Sequence, residues 1–156
     1  MYSRIIEYTN YDGKKHKETL NFELNIVDII EMNYGFEGGV GNALKHGIEG
    51  NDTHILFQLV QAFVLMSYGK LNKSKTQFNK STETKAKFIN SRAYGTFMNI
   101  LFGDKTGKEI TEFLDKIIPN DVKKELPEEK FNFNAKTIFD DLSNLGFKLK
   151  KDKGEK

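Results

Sequence analysis

The sequence DTHILFQLVQAFVLMSYG, residues 52–69, predicts the most apolar helix of this 156-residue chain. Its apolar residues recur at helical spacing and cover nearly the whole circumference, which is typical of a helix buried in a core. Asp52 or Thr53 can cap its first turn, because a short polar side chain accepts a hydrogen bond from a free backbone N–H. Gly69 is placed as its C-cap. We therefore expect one core organised around this helix.

A β-hairpin and a short helix are predicted before this segment. Leu20, Phe22 and Leu24 alternate with polar residues. Asp12-Gly13 is a strong signal of a hairpin turn. A two-stranded hairpin with one apolar face is not stable alone, so helices must cover that face.

Further helices follow from apolar spacing and end signals. We expect them at about residues 26–33, 42–48, 81–102 and 106–118. Asn25 is a suitable N-cap for the first, and Thr106-Gly107-Lys108-Glu109 forms a capping box for the last. The glycine-rich run before residue 50 contains no GxGxxG motif and predicts a loop, with little support for a phosphate site. The predicted fold is mainly α, a small helical bundle of four to five helices with an N-terminal β-hairpin.

The composition changes after Pro119. Residues 120–134 are charged and contain Pro127, and a short stretch at 138–145 regains helical apolar spacing. We therefore expect a helical domain with the hairpin at residues 1–119. Residues 120–156 are then a charged extension with one short amphipathic helix and a disordered, lysine-rich end.

Catalytic and metal-binding signatures are missing from the sequence. There is no cysteine, and His16, His46 and His54 have no spacing that would place two imidazoles on one helix face. Asp140 and Asp141 are adjacent, so on a helix they would point roughly 100° apart. No nucleophile elbow, Walker loop or kinase motif occurs. We expect no catalytic residue, no metal ligand and no cofactor, and hence a protein that is not an enzyme.

The net charge of +2 is unevenly distributed. Residues 70–92 hold seven basic residues and one acidic residue. They form either a solvated loop and helix face or a contact surface for an acidic protein or nucleic acid. Arginine, the usual reader of bases and phosphates, occurs only as Arg4 and Arg92, which weakens the nucleic-acid interpretation.

The chain gives no signal for membrane insertion or secretion. The apolar stretch at residues 55–66 is interrupted by Gln58 and Gln61 and is too short to cross a bilayer. The N-terminus lacks the apolar segment of a signal peptide. We expect a cytoplasmic protein without membrane contact.

A series of short motifs runs in order through residues 52–119. They are Ser67-Tyr68-Gly69-Lys70, Phe78-Asn79-Lys80-Ser81, Ala86-Lys87-Phe88, Arg92-Ala93-Tyr94, Phe97-Met98, Phe113 and Ile117-Ile118-Pro119. With the hairpin and first helix, this series resembles the tail assembly chaperones of bacteriophages of Gram-positive hosts. The resemblance covers residues 1–119. The glycines around residues 38–41 and the extension after Pro119 depart from it.

The resemblance implies a non-enzymatic role. Such a chaperone binds the tape measure protein, keeps its long apolar helices soluble and helps to recruit tail tube subunits. It works in the host cytoplasm, as a monomer or a homo-oligomer, and is absent from the mature virion. The alternatives are a structural connector or neck protein of the phage and a small nucleic-acid-binding protein.

The client is expected to contact the Tyr68–Lys80 connection and the next helix. Tyr94 and Met98 are one helical turn apart and lie off the Ala93–Phe97 stripe that we assign to the core. Aromatic and methionine side chains suit adaptable binding of apolar helices, although both could instead pack on a neighbouring helix. The predicted contact residues are Tyr68, Lys70, Phe78, Lys80, Tyr94 and Met98.

Overall fold

The computed structural model describes residues 1–35, 46, 50 and 52–121 of the chain. The elements of these residues are, in order, β1 (Tyr2–Thr9), β2 (Lys15–Phe22), α1 (Ile26–Gly35), α2 (Thr53–Ser67), β3 (Tyr68–Leu71), β4 (Phe78–Asn79), α3 (Thr82–Ile89), α4 (Arg92–Gly103) and α5 (Lys108–Lys116). The predicted helix at 42–48, apart from residue 46, and nearly all of the predicted extension lie outside the described residues.

The prediction of a mainly α bundle is wrong. The described residues form a four-stranded antiparallel sheet in the order β1-β2-β3-β4, so sheet and helices share the core. The N-terminal hairpin is confirmed. Residues 70–81 were predicted as a polar connection, but residues 68–79 form a second hairpin. Its strands are too short and too polar to show the alternation by which a strand is predicted.

The two hairpins join at the end of β2, where Phe22 lies opposite Tyr68 and Asn21 opposite Gly69. Gly69 is therefore a strand residue and not a helix C-cap. A Cβ atom at Gly69 would lie 2.8 Å from Cζ of Phe78 and 2.8 Å from Cγ of Lys80. Glycine is required here because the side chains of the second hairpin cross directly over the backbone.

The helix predicted from Ser81 to about Phe102 is two helices. Ser81 does cap the first, since its side chain accepts a hydrogen bond from the backbone N–H of Thr84 at 3.2 Å. The break follows Ile89, where Ser91 has an extended backbone and its hydroxyl donates to the Phe88 carbonyl at 2.7 Å. The resulting bend lets α3 and α4 each supply a phenylalanine to one core.

The N-caps predicted at Asp52 and Asn25 are present in the structure. Asp52 accepts from the backbone N–H of Ile55 at 3.1 Å. Asn25 accepts from the backbone N–H of Asp28 at 2.8 Å, and the Asp28 carboxylate accepts in return from Asn25 at 3.0 Å. This reciprocal pair is a capping box with aspartate in the last position.

The capping box predicted at Thr106 is wrong. The carboxylate of Asp104 accepts from the backbone N–H groups of Thr106, at 3.0 Å, and Glu109, at 3.1 Å. The Thr106 hydroxyl also donates to Asp104, and these hydrogen bonds lower the pKa of the Asp104 carboxyl. The Glu109 carboxylate is instead paired with Arg4 of β1 at 2.7 Å.

Phe22 lies at the centre of the core and is fully buried. Its ring stacks on Phe97 of α4, with 4.6 Å between centroids. Rings from the other layers surround it at centroid distances of 5.4–6.1 Å: Tyr2, Tyr68, Phe88 and Phe113. One side chain thus contacts aromatic rings from both hairpins and from α3, α4 and α5.

Replacing Gly69 by alanine should lower the free energy of unfolding by about 1–3 kcal/mol, because the added methyl group overpacks the hairpin junction. Gly95 in α4 is the matched control, since nothing lies within 4 Å of a Cβ built there. Gly95→Ala should raise the free energy of unfolding by about 1 kcal/mol through helix propensity. Urea unfolding followed by circular dichroism measures both changes. A Gly69→Ala protein as stable as the unsubstituted chain would contradict the close approach.

Candidate protein-binding surface

The residues predicted to contact a client fall into two groups in the structure. Tyr94 and Met98 lie on α4, whereas Tyr68, Lys70 and Phe78 belong to the second hairpin and Lys80 follows it. Tyr68 is 4% exposed and Met98 9%. The expectation that Met98 lies off the core stripe is therefore wrong, while client contact itself stays a prediction.

Tyr68 and Tyr94 are brought together by Phe88. The Tyr68 ring stacks on Phe88 with 3.9 Å between centroids, and Tyr94 approaches Phe88 edge-on at 5.4 Å. Burial raises the pKa of the Tyr68 hydroxyl to about 12. Ser67, which precedes it, is also buried and donates its hydroxyl to the Phe63 carbonyl at 2.5 Å. The Ser-Tyr-Gly step is thus explained by packing at the end of α2.

Lys80 fastens the second hairpin to the first helix. Its ammonium pairs with the Asp28 carboxylate and donates to the Glu23 carbonyl at 2.9 Å. Both charged side chains are mostly buried, at 15% and 13% exposure. Because Asp28 also caps α1, one carboxylate serves both the helix start and the hairpin. A buried pair of this kind positions chain segments more than it contributes net stability.

Lys85 closes the C-terminal end of α2. Its ammonium donates to the carbonyls of Leu65, Met66 (3.1 Å) and Tyr68 (3.2 Å). The carbonyls of a last helical turn have no partner within the helix, and a positive charge there is favourable. Burial nevertheless lowers the pKa of Lys85 to about 8; the nearby Lys80 charge acts in the same direction and Asp28 opposes it.

The basic segment at residues 70–92 is therefore not one continuous surface. Lys80 and Lys85 are used internally, and Lys87 pairs with Glu83 on the surface of α3 at 3.2 Å. Arg92 lies over the ring of Tyr11, 4.7 Å from its centroid. Of the predicted basic residues only those of the second hairpin remain open to a partner.

An aromatic seam runs along α2 and α4, and its two contact pairs follow opposite directions along the two helices. Gln61 donates its side-chain amide to the Tyr94 hydroxyl at 2.7 Å, and the rings of Phe57 and Phe102 meet at 5.0 Å between centroids. Met98 lies one turn from both Tyr94 and Phe102 on α4, so it lies on the same face of the helix. We call these residues the α2/α4 seam: Phe57, Gln61, Tyr94, Met98 and Phe102.

The exposed part of the seam is the Phe57–Phe102 pair. Phe57 is 38% exposed and Phe102 39%, although each has an aromatic partner. Large apolar side chains grouped on a surface mark contact sites more often than single ones do. Sequence reasoning missed both residues. The available signal was spacing: Phe102 is four residues from Met98, and Phe57 is four residues from the polar Gln61.

Within residues 1–35 and 52–121 no group of histidine, cysteine, aspartate and glutamate side chains could hold a metal ion. In the same part of the chain no helix is long and apolar enough to cross a membrane.

A family model described as phage tail assembly chaperone matches residues 1–154. Neither a curated protein nor a solved structure matches the chain. The matched range includes the glycine-rich run around residues 38–41 and most of the segment after Pro119. The family match therefore extends beyond residue 119, where the resemblance seen in the sequence ended.

The Lys85 site predicts a pH dependence of stability. Its folded pKa of about 8 is below the value of about 10.4 for an unfolded lysine. Between these pH values the unfolded chain binds more protons, so the Lys85 contribution to the free energy of unfolding rises with pH. Tyr68 has the opposite effect above about pH 10. Its pKa is raised to about 12 in the folded chain, so the unfolded tyrosine ionises first and the Tyr68 contribution to the free energy of unfolding falls as the pH rises.

Lys85→Met should remove the rise in stability between about pH 8 and 10, and the exposed Lys87→Met should keep it. Urea unfolding at a series of pH values measures the slope for each protein. An equal slope in both variants would contradict the assignment of the low pKa to Lys85.

Proposed function

This chain belongs to the phage tail assembly chaperone family, and from that premise we propose that it binds the tape measure protein and assists assembly of the tail tube. The proposed role is non-catalytic. The protein acts in the host cytoplasm and does not remain in the mature virion.

The exposed Phe57–Phe102 pair is the observation that most supports this role. A tape measure protein with long apolar helices needs those helices covered until the tail tube encloses them. An amphipathic helix binds to a partner through side chains one turn apart, laid against an apolar surface. The α2/α4 seam offers two half-exposed rings at one end and a tyrosine hydroxyl paired with an amide at the other.

The residues first expected to contact the client take different parts in this proposal. Tyr94 lies in the seam, half-buried, and Lys70 and Phe78 present the second hairpin to a longer client. Tyr68, Met98 and Lys80 act beneath the surface by holding the helices and the hairpin in place. We propose that the direct contacts centre on Phe57, Phe102 and Tyr94.

Replacing Phe57 and Phe102 together by serine should abolish capture of the tape measure protein. Both rings are partly exposed, so each substitution should lower the free energy of unfolding by only about 1 kcal/mol. Co-expression with the tape measure protein of the same genome, followed by pull-down, measures capture, and urea unfolding measures stability.

The matched control is Ile5→Ser with Val27→Ser, two apolar residues that are 60% and 61% exposed on β1 and α1. This control should capture the tape measure protein normally. Normal capture by the Phe57/Phe102 variant would show that the seam is not the binding surface. Absence of capture by the unsubstituted chain would contradict the function itself.

The proposal also separates this chain from a connector or neck protein. A chaperone leaves before the particle is complete, whereas a connector stays in it. Mass spectrometry of purified particles should therefore detect tail proteins but not this chain. Its recovery in stoichiometric amounts would overturn the chaperone role.

A further inference from the structure

The turns of the two hairpins lie toward the same end of the sheet. β1 and β2 are joined by residues 10–14, and β3 and β4 by residues 72–77. With Asn21 opposite Gly69, β3 runs antiparallel to β2, back toward the first turn. The two turns, far apart in sequence, thus both lie on the side of the sheet away from the β2–β3 junction.

Both turns are ordered by their own hydrogen bonds. In the first, the backbone N–H of Asn10 donates to the Lys14 carbonyl at 2.9 Å, and Gly13 takes a positive φ of 83°. In the second, the Asn72 side chain accepts from the backbone N–H groups of Thr76, at 2.9 Å, and Gln77, at 3.1 Å. These hydrogen bonds order the backbone of both turns and so fix where their side chains begin.

Exposed lysines concentrate on these hairpins. None of them forms an ion pair within the described part of the chain. We call the following lysines the basic tip surface: Lys14, Lys15, Lys17, Lys70, Lys73 and Lys75. The carboxylates nearby are Glu7, which lies opposite Lys17 on β1, Asp12 and Glu18. They are fewer than the lysines and offset only part of the positive charge.

Cations elsewhere in the described chain are mostly paired. Arg4 pairs with Glu109, Lys87 with Glu83, and Lys116 with Glu112. Lys80 and Lys85 are held by a carboxylate and by helix carbonyls. Among the described residues, most of the lysines without an ion pair thus lie on the two hairpins, and Lys105 and Lys108 lie apart from them near the start of α5.

We propose that the basic tip surface binds an acidic segment of a partner protein. Lysine ammonium groups on two separate turns act as adaptable point charges, which suits carboxylates distributed along a polypeptide. Opposite charges steer such a segment to the surface over roughly a Debye length of 8 Å at physiological salt. The surface is distinct from the α2/α4 seam, and the inference holds whichever protein the seam captures.

The chemistry of this end favours a protein over a single-stranded nucleic acid. Tyr11 is the large aromatic side chain exposed at the first turn, at 73%. Its ring face is covered by the Arg92 guanidinium, which lies 4.7 Å from the centroid and also donates to the Thr9 carbonyl at 3.5 Å. The opposite face of this ring stays open, so the first turn offers a base one stacking position. Sites for single strands stack successive bases on several aromatic side chains, because stacking supplies much of the affinity.

Fluorescence anisotropy with a labelled poly-L-glutamate peptide tests the proposal. The full chain should bind it with an affinity that falls as salt is added. Lys73→Glu with Lys75→Glu, and separately Lys15→Glu with Lys17→Glu, should each weaken binding by about tenfold or more. The neutral pair Lys73→Gln with Lys75→Gln should cause a smaller loss. Circular dichroism checks that every variant is folded.

Lys105→Glu with Lys108→Glu is the matched control, because it makes the same change in net charge at the start of α5. This control should bind within about twofold of the unsubstituted chain. Equal weakening by the control would mean that only net charge matters and would overturn the site. A labelled single-stranded oligonucleotide of equal charge that binds more tightly than poly-glutamate would also overturn the proposal. The lysine variants should still capture the tape measure protein, because the basic tip surface is distinct from the α2/α4 seam. Failure of this inference can therefore be told apart from failure of the proposed function.

Discussion

The stacking of Phe22 on Phe97, with 4.6 Å between ring centroids, is the contact around which the molecule is arranged. Phe22 ends β2, where Tyr68 pairs with it across the sheet and begins the second hairpin. Aromatic pairs contribute about 0.5–1.5 kcal/mol each beyond their buried area, so a ring with several such partners is a strong constraint. The positions of α3, α4 and both hairpins all depend on it. Within the α2/α4 seam, Met98 is buried and the Phe57–Phe102 pair stays partly exposed.

The sequence predicted the elements whose information is local. The alternation at Leu20 and Phe22, the Asp52 cap and the apolar spacing of residues 106–118 each fall within one element and were sufficient. The prediction of the fold class was wrong because residues 68–79 form a second hairpin. The second hairpin exists because Gly69 lets Phe78 and Lys80 cross its backbone and because β2 offers an edge. Neither condition is visible in a short polar stretch.

The binding surface could be predicted only in part for the same reason. Tyr94 was identified through its motif and lies in the seam. Helical spacing, however, does not reveal which apolar side chains stay exposed to solvent. Phe57 and Phe102 therefore went unnoticed, and Met98 was misplaced on the surface. The lysines of residues 70–92 form a cluster in the sequence, yet Asp28 and the carbonyls ending α2 take up Lys80 and Lys85. The motifs that carry the family resemblance are packing residues, which identify the family without identifying its contacts.

Hydrogen–deuterium exchange of the chain, free and bound to the tape measure protein, tests the central claim that the chaperone binds its client through the seam. The first turns of α2 and the last turns of α4 are helix ends and open more readily than the core, so protection there is measurable. We expect binding to slow exchange around Phe57 and Phe102 and to leave β1 unchanged. Protection confined to β1, or no protection near Phe57 and Phe102 in a complex that has formed, would contradict this assignment.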